Sequence, residues 1–228
     1  MPSRRPPAIT IHLYDVDFFR THNAFRAPGA ATIDDLKAGL TKVEYYTQMY
    51  SRMRRGIVPH PVNVNAENVD ELLDANFVFL AMDAGPDKKS IVEALIAHGI
   101  PFVDTGVGLS KDADGIAGQI RITTSNPGRS DHIARDGLIS YFAGEDAEHD
   151  TNLQVDELNA LTANFAILRY KKLLGFYADV EDERHSRRRR GRRSMRITAL
   201  NTAFTKSIPA VLEAETLYVS MEYQTTVH

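Results

Sequence analysis

Two carboxylates two residues apart, Asp15 and Asp17, stand ahead of an amide and a guanidinium, Asn23 and Arg26, and an ammonium, Lys42. A further carboxylate, Asp83, closes the apolar run Phe77–Met82, and Asp104 closes Pro101–Val103. These types suit a nucleotide and its phosphates. A carboxylate can accept both hydroxyl hydrogens of a ribose. A second can hold Mg²⁺, which keeps several waters and needs few protein ligands. A guanidinium and an ammonium neutralise charge developing on phosphate oxygens. Asn23 can also close its own loop through side-chain to backbone bonds. Asp104 faces the same crevice and reads as structural or, at most, as a contact for an incoming tail.

Other chemistries are excluded. The 228 residues contain no Cys, so disulfides, thiolate zinc sites and a Cys nucleophile are absent from this chain. With 27 Lys+Arg against 30 Asp+Glu, the net charge of −3 argues against a surface devoted to polyanions. The Arg187–Arg193 run reads most simply as a solvated segment; it is the single hint of nucleic acid, through phosphate contacts, and has no interleaved aromatic for base stacking. No run of about 18 apolar residues occurs, and Met1–Pro7 lacks a signal-peptide core, so a cytoplasmic location is expected.

The acidic residues need strands that end in one place. Ile9–Asp15 alternates apolar and polar and predicts a strand ending at Asp15. Phe18–Thr32 reads as a loop around Pro28-Gly29. Asp34–Met53 predicts one long helix, with Thr32 as its N-cap, Arg52, Arg54 and Arg55 in its last turn and Gly56 beyond. Val62–Asn65 predicts a short strand and Val69–Leu73 a short helix. Phe77–Met82, apolar on both faces, predicts a central parallel strand. A helix over Lys88–Ala97 and a strand over Pro101–Asp104 follow. Asp112–Gly115 reads as a turn before a strand over Gln119–Thr124, and Leu153–Leu174 as a second long helix. Alternating strands and helices predict an α/β fold: a Rossmann-like, mostly parallel sheet flanked by helices, with an appended antiparallel strand pair. Ligands of such sheets bind beyond the carboxyl ends of the strands.

The ordered motifs resemble a known family. Asp15-Val16-Asp17, then Asn23-Ala24-Phe25-Arg26, then Lys42-Val43-Glu44, then a strand ending in Asp83, resemble the ThiF/MoeB/HesA superfamily of adenylyltransferases, which includes the ubiquitin-activating enzymes. Gly106-Val107-Gly108 and Gly118-Gln119-Ile120 continue the likeness. It spans residues 9–176, leaving 177–228 as an Arg-rich C-terminal tail.

The resemblance implies ATP and Mg²⁺ as cofactors and the C-terminal carboxylate of a ubiquitin-like protein as the group adenylated. It implies that Asp15 and Asp17 belong to the nucleotide site, with Asp15 on the ribose. Asn23, Arg26 and Lys42 would contact phosphates, and Asp83 would hold Mg²⁺. It implies a homo- or hetero-dimer; that no membrane is involved is expected from the want of a long apolar run.

The sequence departs from that pattern in three ways. The family opens with a strand and a glycine-rich turn whose N–H groups cradle phosphates. Only eight residues precede Ile9 and none is Gly. That strand would be central, so its loss should expose apolar sheet edges. The absence of Cys excludes a thioester or sulfur relay on this chain. The tail does not follow the family. An alternative reading is therefore a non-catalytic scaffold that binds a ubiquitin-like protein, or a product of a truncated gene whose start lies upstream.

Overall fold

The computed structural model describes residues 10–26, 29–112, 115–133, 138–141, 156–177, 185–189 and 217–221. The fold is mixed α/β. The strands are β1 (Ile11–Tyr14), β2 (Ile57–His60), β3 (Phe77–Ala81), β4 (Phe102–Asp112), β5 (Gly115–Ser125), β6 (His185–Arg189) and β7 (Leu217–Met221). They form one sheet in the order β2-β1-β7-β3-β4-β5-β6. The pairs from β2 to β4 are parallel; β4–β5 and β5–β6 are antiparallel.

The helices are α1 (Thr21–Phe25), α2 (Ile33–Lys37), α3 (Lys42–Ser51), α4 (Pro86–Ala97) and α5 (Asp156–Leu173). β3 shows why the sheet is covered on both sides. Val78 and Leu80 join a core with Ile91, Val92 and Leu95 of α4. Phe77 and Phe79 join the opposite core with Ala166, Ile167 and Tyr170 of α5. Successive strand residues point to opposite faces, so a run apolar throughout feeds two cores.

Several expectations need correction. The predicted helix over 34–53 is two helices. Gly39 takes a left-handed φ of 63°, and Thr41 caps α3 through a box with Glu44. The Thr41 N–H donates to Glu44 Oε2 at 2.9 Å and the Glu44 N–H to Thr41 Oγ1 at 3.4 Å. That Thr-x-x-Glu signal is a helix start, and it outweighs continuous apolar spacing. Thr32 caps α2, accepting from the Asp35 N–H at 3.1 Å. The loop predicted over 18–32 contains α1. The second strand is Ile57–His60 and not Val62–Asn65. β2 lies at the sheet edge, where Pro59 deprives no inner neighbour of a donor. Residues 62–65 instead lead into a turn in which the Asn65 N–H donates to Asn68 Oδ1 at 2.8 Å.

The region read as a tail supplies two strands. His185–Arg189, the start of the Arg run, pairs antiparallel with β5; Arg190–Arg193 lie outside the described residues. β7 fills the slot between β1 and β3, with Tyr14 opposite Ser220 and Ser220 opposite Leu80. The apolar strand edges expected to be bare at that slot are hydrogen-bonded there.

Candidate functional site

The carboxyl ends of β1, β7, β3 and the parallel part of β4 lie in one row, through Tyr14, Ser220, Leu80 and Asp104. Asp15 begins the loop beyond β1. Its Oδ1 accepts the Asp17 N–H at 2.7 Å, which turns the chain sharply. That loop is tied to the start of α3. The Lys42 N–H donates to Asp17 O at 2.7 Å, and the Phe19 N–H to Leu40 O at 2.9 Å. Phe19 stacks on Tyr45 with ring centroids 3.8 Å apart. Lys42, in the first turn of α3, is thereby carried to the carboxylates.

Lys42 Nζ lies 2.6 Å from Asp17 Oδ2 and 3.4 Å from Asp15 Oδ2. Asp15 and Lys42 are buried, while the Asp17 side chain keeps 36% of its surface exposed. Burial pushes the Asp15 carboxyl from 3.8 up to about 6, and the repulsion of Asp17 adds to it; Lys42 and the Asp17 N–H oppose the rise. Asp15 is then mostly ionised at neutral pH and can accept hydroxyl hydrogens with its remaining lone pairs.

α1 adds the next groups. Asn23 is buried, and its Oδ1 accepts the Arg20 N–H at 2.9 Å. This oxygen therefore closes the helix start, as the loop-holding reading required. Around His22 stand Arg26, Lys42 and Arg20; after burial, their charges lower its pKa, and Asp17 opposes them. His22 is thus within electrostatic reach of Arg26, Lys42 and Asp17, which sets α1 beside the cluster of Asp15, Asp17 and Lys42. Asp83 stands beyond another strand. It is exposed in the loop beyond β3, and β7 separates β3 from β1 by two strand spacings, ~10 Å.

Some neighbours were not singled out in the sequence. His12 Nδ1 and His60 Nε2 are 2.9 Å apart, and the His60 ring stacks on Tyr14 at 4.2 Å. Burial lowers the pKa of both imidazoles; His60 repels a proton on His12, and Glu71 pulls His60 the other way. On the far side, Lys88 and Arg121 bracket Asp104. A lysine on an amphipathic helix reads as a solvated charge, and nothing in the sequence pairs it with a strand end.

An exposed single carboxylate such as Asp83 could hold Mg²⁺ only together with substrate phosphates. Among the described residues no group of three or more His, Asp or Glu forms a cage for a metal. Nor is any described helix long and apolar enough to cross a membrane.

No family model and no curated protein matches the chain. Among solved structures it is similar to PaaA, determined in its selenomethionine form. The match covers 78% of this chain and 55% of PaaA, with a TM-score of 0.51 and 15% identity. The chain therefore spans about half the length of PaaA, and at this identity the likeness is one of fold.

Proposed function

We propose that the chain is an ATP-dependent adenylyltransferase of the ThiF, ubiquitin-activating type, on a Rossmann-like sheet, acting on the C-terminal carboxylate of a ubiquitin-like protein. The observation that carries this reading is the meeting of Asp15, Asp17 and Lys42 at the carboxyl edge of a parallel array, with Arg26 beside them. Ligands of open parallel sheets bind at such an edge. Asp15 accepts the ribose hydroxyls. Arg26 and Lys42 face the phosphates, Lys42 exchanging a contact with Asp17 for one with a phosphate oxygen. Asn23, through Oδ1, holds the loop that presents Arg26.

The reaction needs no side-chain nucleophile. A carboxylate oxygen attacks the α-phosphorus, a carboxyl O–P bond forms, the bond between the α-phosphorus and the bridging oxygen breaks, and pyrophosphate leaves with the electron pair. Asp83 would hold Mg²⁺, which would neutralise charge on the phosphates. The protein contributes position and a fixed electrostatic field. Dimerisation, as the resemblance implies, would let a second chain complete the phosphate side.

One observation favours a second reading, a non-catalytic subunit that docks a ubiquitin-like protein. Lys42 already lies 2.6 Å from Asp17 Oδ2, and Asn23 Oδ1 already accepts the Arg20 N–H, so both are engaged without a nucleotide. A titration of the chain with ATP and Mg²⁺, with Asp83→Ala alongside, separates the two. Adenylation predicts saturable binding that the variant weakens at least tenfold. Absence of binding at millimolar ATP favours the docking subunit.

A further inference from the structure

Among the described residues, the second buried ionic cluster sets two cations against one carboxylate. Lys88 Nζ lies 2.6 Å from Asp104 Oδ1 and donates to Met82 O at 3.0 Å, and both side chains are almost wholly buried. That pair is already complete as one cation with one carboxylate. Arg121 nonetheless brings a second cation, with Nη2 at 3.1 Å from Asp104 Oδ2. Its Nη1 donates to Ser140 Oγ at 2.6 Å. Its Nε is buried and has no acceptor among the described residues. A guanidinium that shares one carboxylate with a lysine keeps donor capacity for a further anion.

The position is informative. Arg121 stands opposite Gly106, two residues past the point where Asp104 pairs with Leu80, so it overhangs the carboxyl edge. A Cβ on Gly106 would come within 3.0 Å of Arg121 Nη2. The missing side chain is what lets the guanidinium lie across β4. Beyond it, Gly108 has open space where a Cβ would stand, which leaves width for a slim chain. Arg121 keeps 14% of its side-chain surface exposed.

We propose that Arg121, braced by Asp104 and admitted by Gly106, is the anchor for the carboxylate at the end of the polypeptide that enters the site. Arg is suited to this because its planar fork matches a carboxylate with two parallel N–H bonds. The glycines at 106 and 108 give a main chain room to lie along β4. Lys88 is a positioning residue: it neutralises Asp104, so the Arg121 charge stays available for the ligand. This deepens the adenylation reading by naming where its acyl substrate is held, and rests on that reading for the substrate class.

The test uses the full chain and two probes, acetyl-Gly-Gly with a free carboxylate and the same peptide as its amide. Binding is followed by NMR titration, with ATP and Mg²⁺ affinity read separately. The free acid should bind saturably and the amide at least tenfold more weakly. Arg121→Gln should lower affinity for the acid at least tenfold and leave that for ATP within twofold. Gly106→Ala, which displaces the guanidinium and keeps its charge, should give an intermediate loss and decides the matter if Arg121→Gln does not fold. Equal binding of acid and amide, or full affinity in both variants, overturns the proposal. A chain that binds ATP but not the acid also overturns it and leaves the adenylation reading standing. Selective acid binding without any ATP binding supports the anchor and sinks adenylation.

Discussion

Two lysines occupy the same place in two successive units and end in opposite electrostatic settings. Lys42 is the first residue of α3 and Lys88 lies in the first turn of α4. Both stand where the helix dipole disfavours a cation. Both are buried, and both are held by a carboxylate at or just beyond a strand end. Around Lys42 there are two carboxylates, Asp15 and Asp17, for one cation. Around Asp104 there are two cations, Lys88 and Arg121, for one carboxylate. Arg26 stands by the first corner too, so the excess of carboxylates is confined to the contacts of Lys42 itself, and Asp15 is placed to accept from hydroxyl donors. Among the described residues the second sets two cations against one carboxylate. One supersecondary arrangement, a helix start packed on the carboxyl edge of the parallel strands, thus gives its lysine two different electrostatic settings.

Breaking each lysine tests the comparison. Lys88→Met should have the largest effect, about 3–5 kcal/mol, because Asp104 is wholly buried and loses its closest counter-ion. Lys42→Met should cost less than Lys88→Met in the same urea titration. Asp17 keeps contact with water, and Asp15 can take up a proton. Equal losses would mean that the contacts of the two lysines do not differ in electrostatic weight.

The pH dependence sharpens the same contrast. In the folded chain Asp15 binds its proton up to about pH 6, whereas in the unfolded chain it releases it near 3.8. Between those values the folded state holds more protons, so this group's contribution falls as pH rises from about 4 to 6. The fall amounts to at most ~3 kcal/mol. Asp15→Asn should remove that slope. The stability difference between the parent chain and the variant isolates it from Asp35 and Glu44, whose caps lower their pKa and act in the opposite sense. A difference that does not vary with pH would show Asp15 to titrate as an ordinary carboxylate.

The smallest effect concerns how Lys42 is delivered. Thr41→Ala removes the cap of α3 and should lower stability by ~1 kcal/mol in thermal unfolding. Nucleotide affinity should fall along with it, because the same helix start carries Lys42. A loss of stability with unchanged affinity would separate the cap from the site.

Some of this was legible from residue order. Apolar residues at every position of Phe77–Met82 announce a strand covered on both faces, because water is excluded from each side. The meeting of Asp15, Asp17 and Lys42 follows the motifs' resemblance to a family and not their spacing alone. Other features were concealed. Leu36, Leu40, Val43 and Tyr46 keep helical spacing across the break between α2 and α3, so periodicity ran on where the cap interrupts. Ile57–His60, with a proline inside it, hides a strand that only an edge position permits.

What the sequence determined by itself is local: which segments are apolar on one face or two, where helices can begin, and that no thiol chemistry occurs on this chain. What the tertiary structure decided is long-range. The pairing of Asp104 with Lys88 and Arg121 joins residues 16 and 17 positions away across α4, β4 and β5. The seating of Leu217–Met221 between β1 and β3 joins segments with no common signature. Backbone hydrogen bonds in a parallel sheet carry no side-chain code for their partner, and a buried charge is recognised only by the counter-ion that folding brings to it.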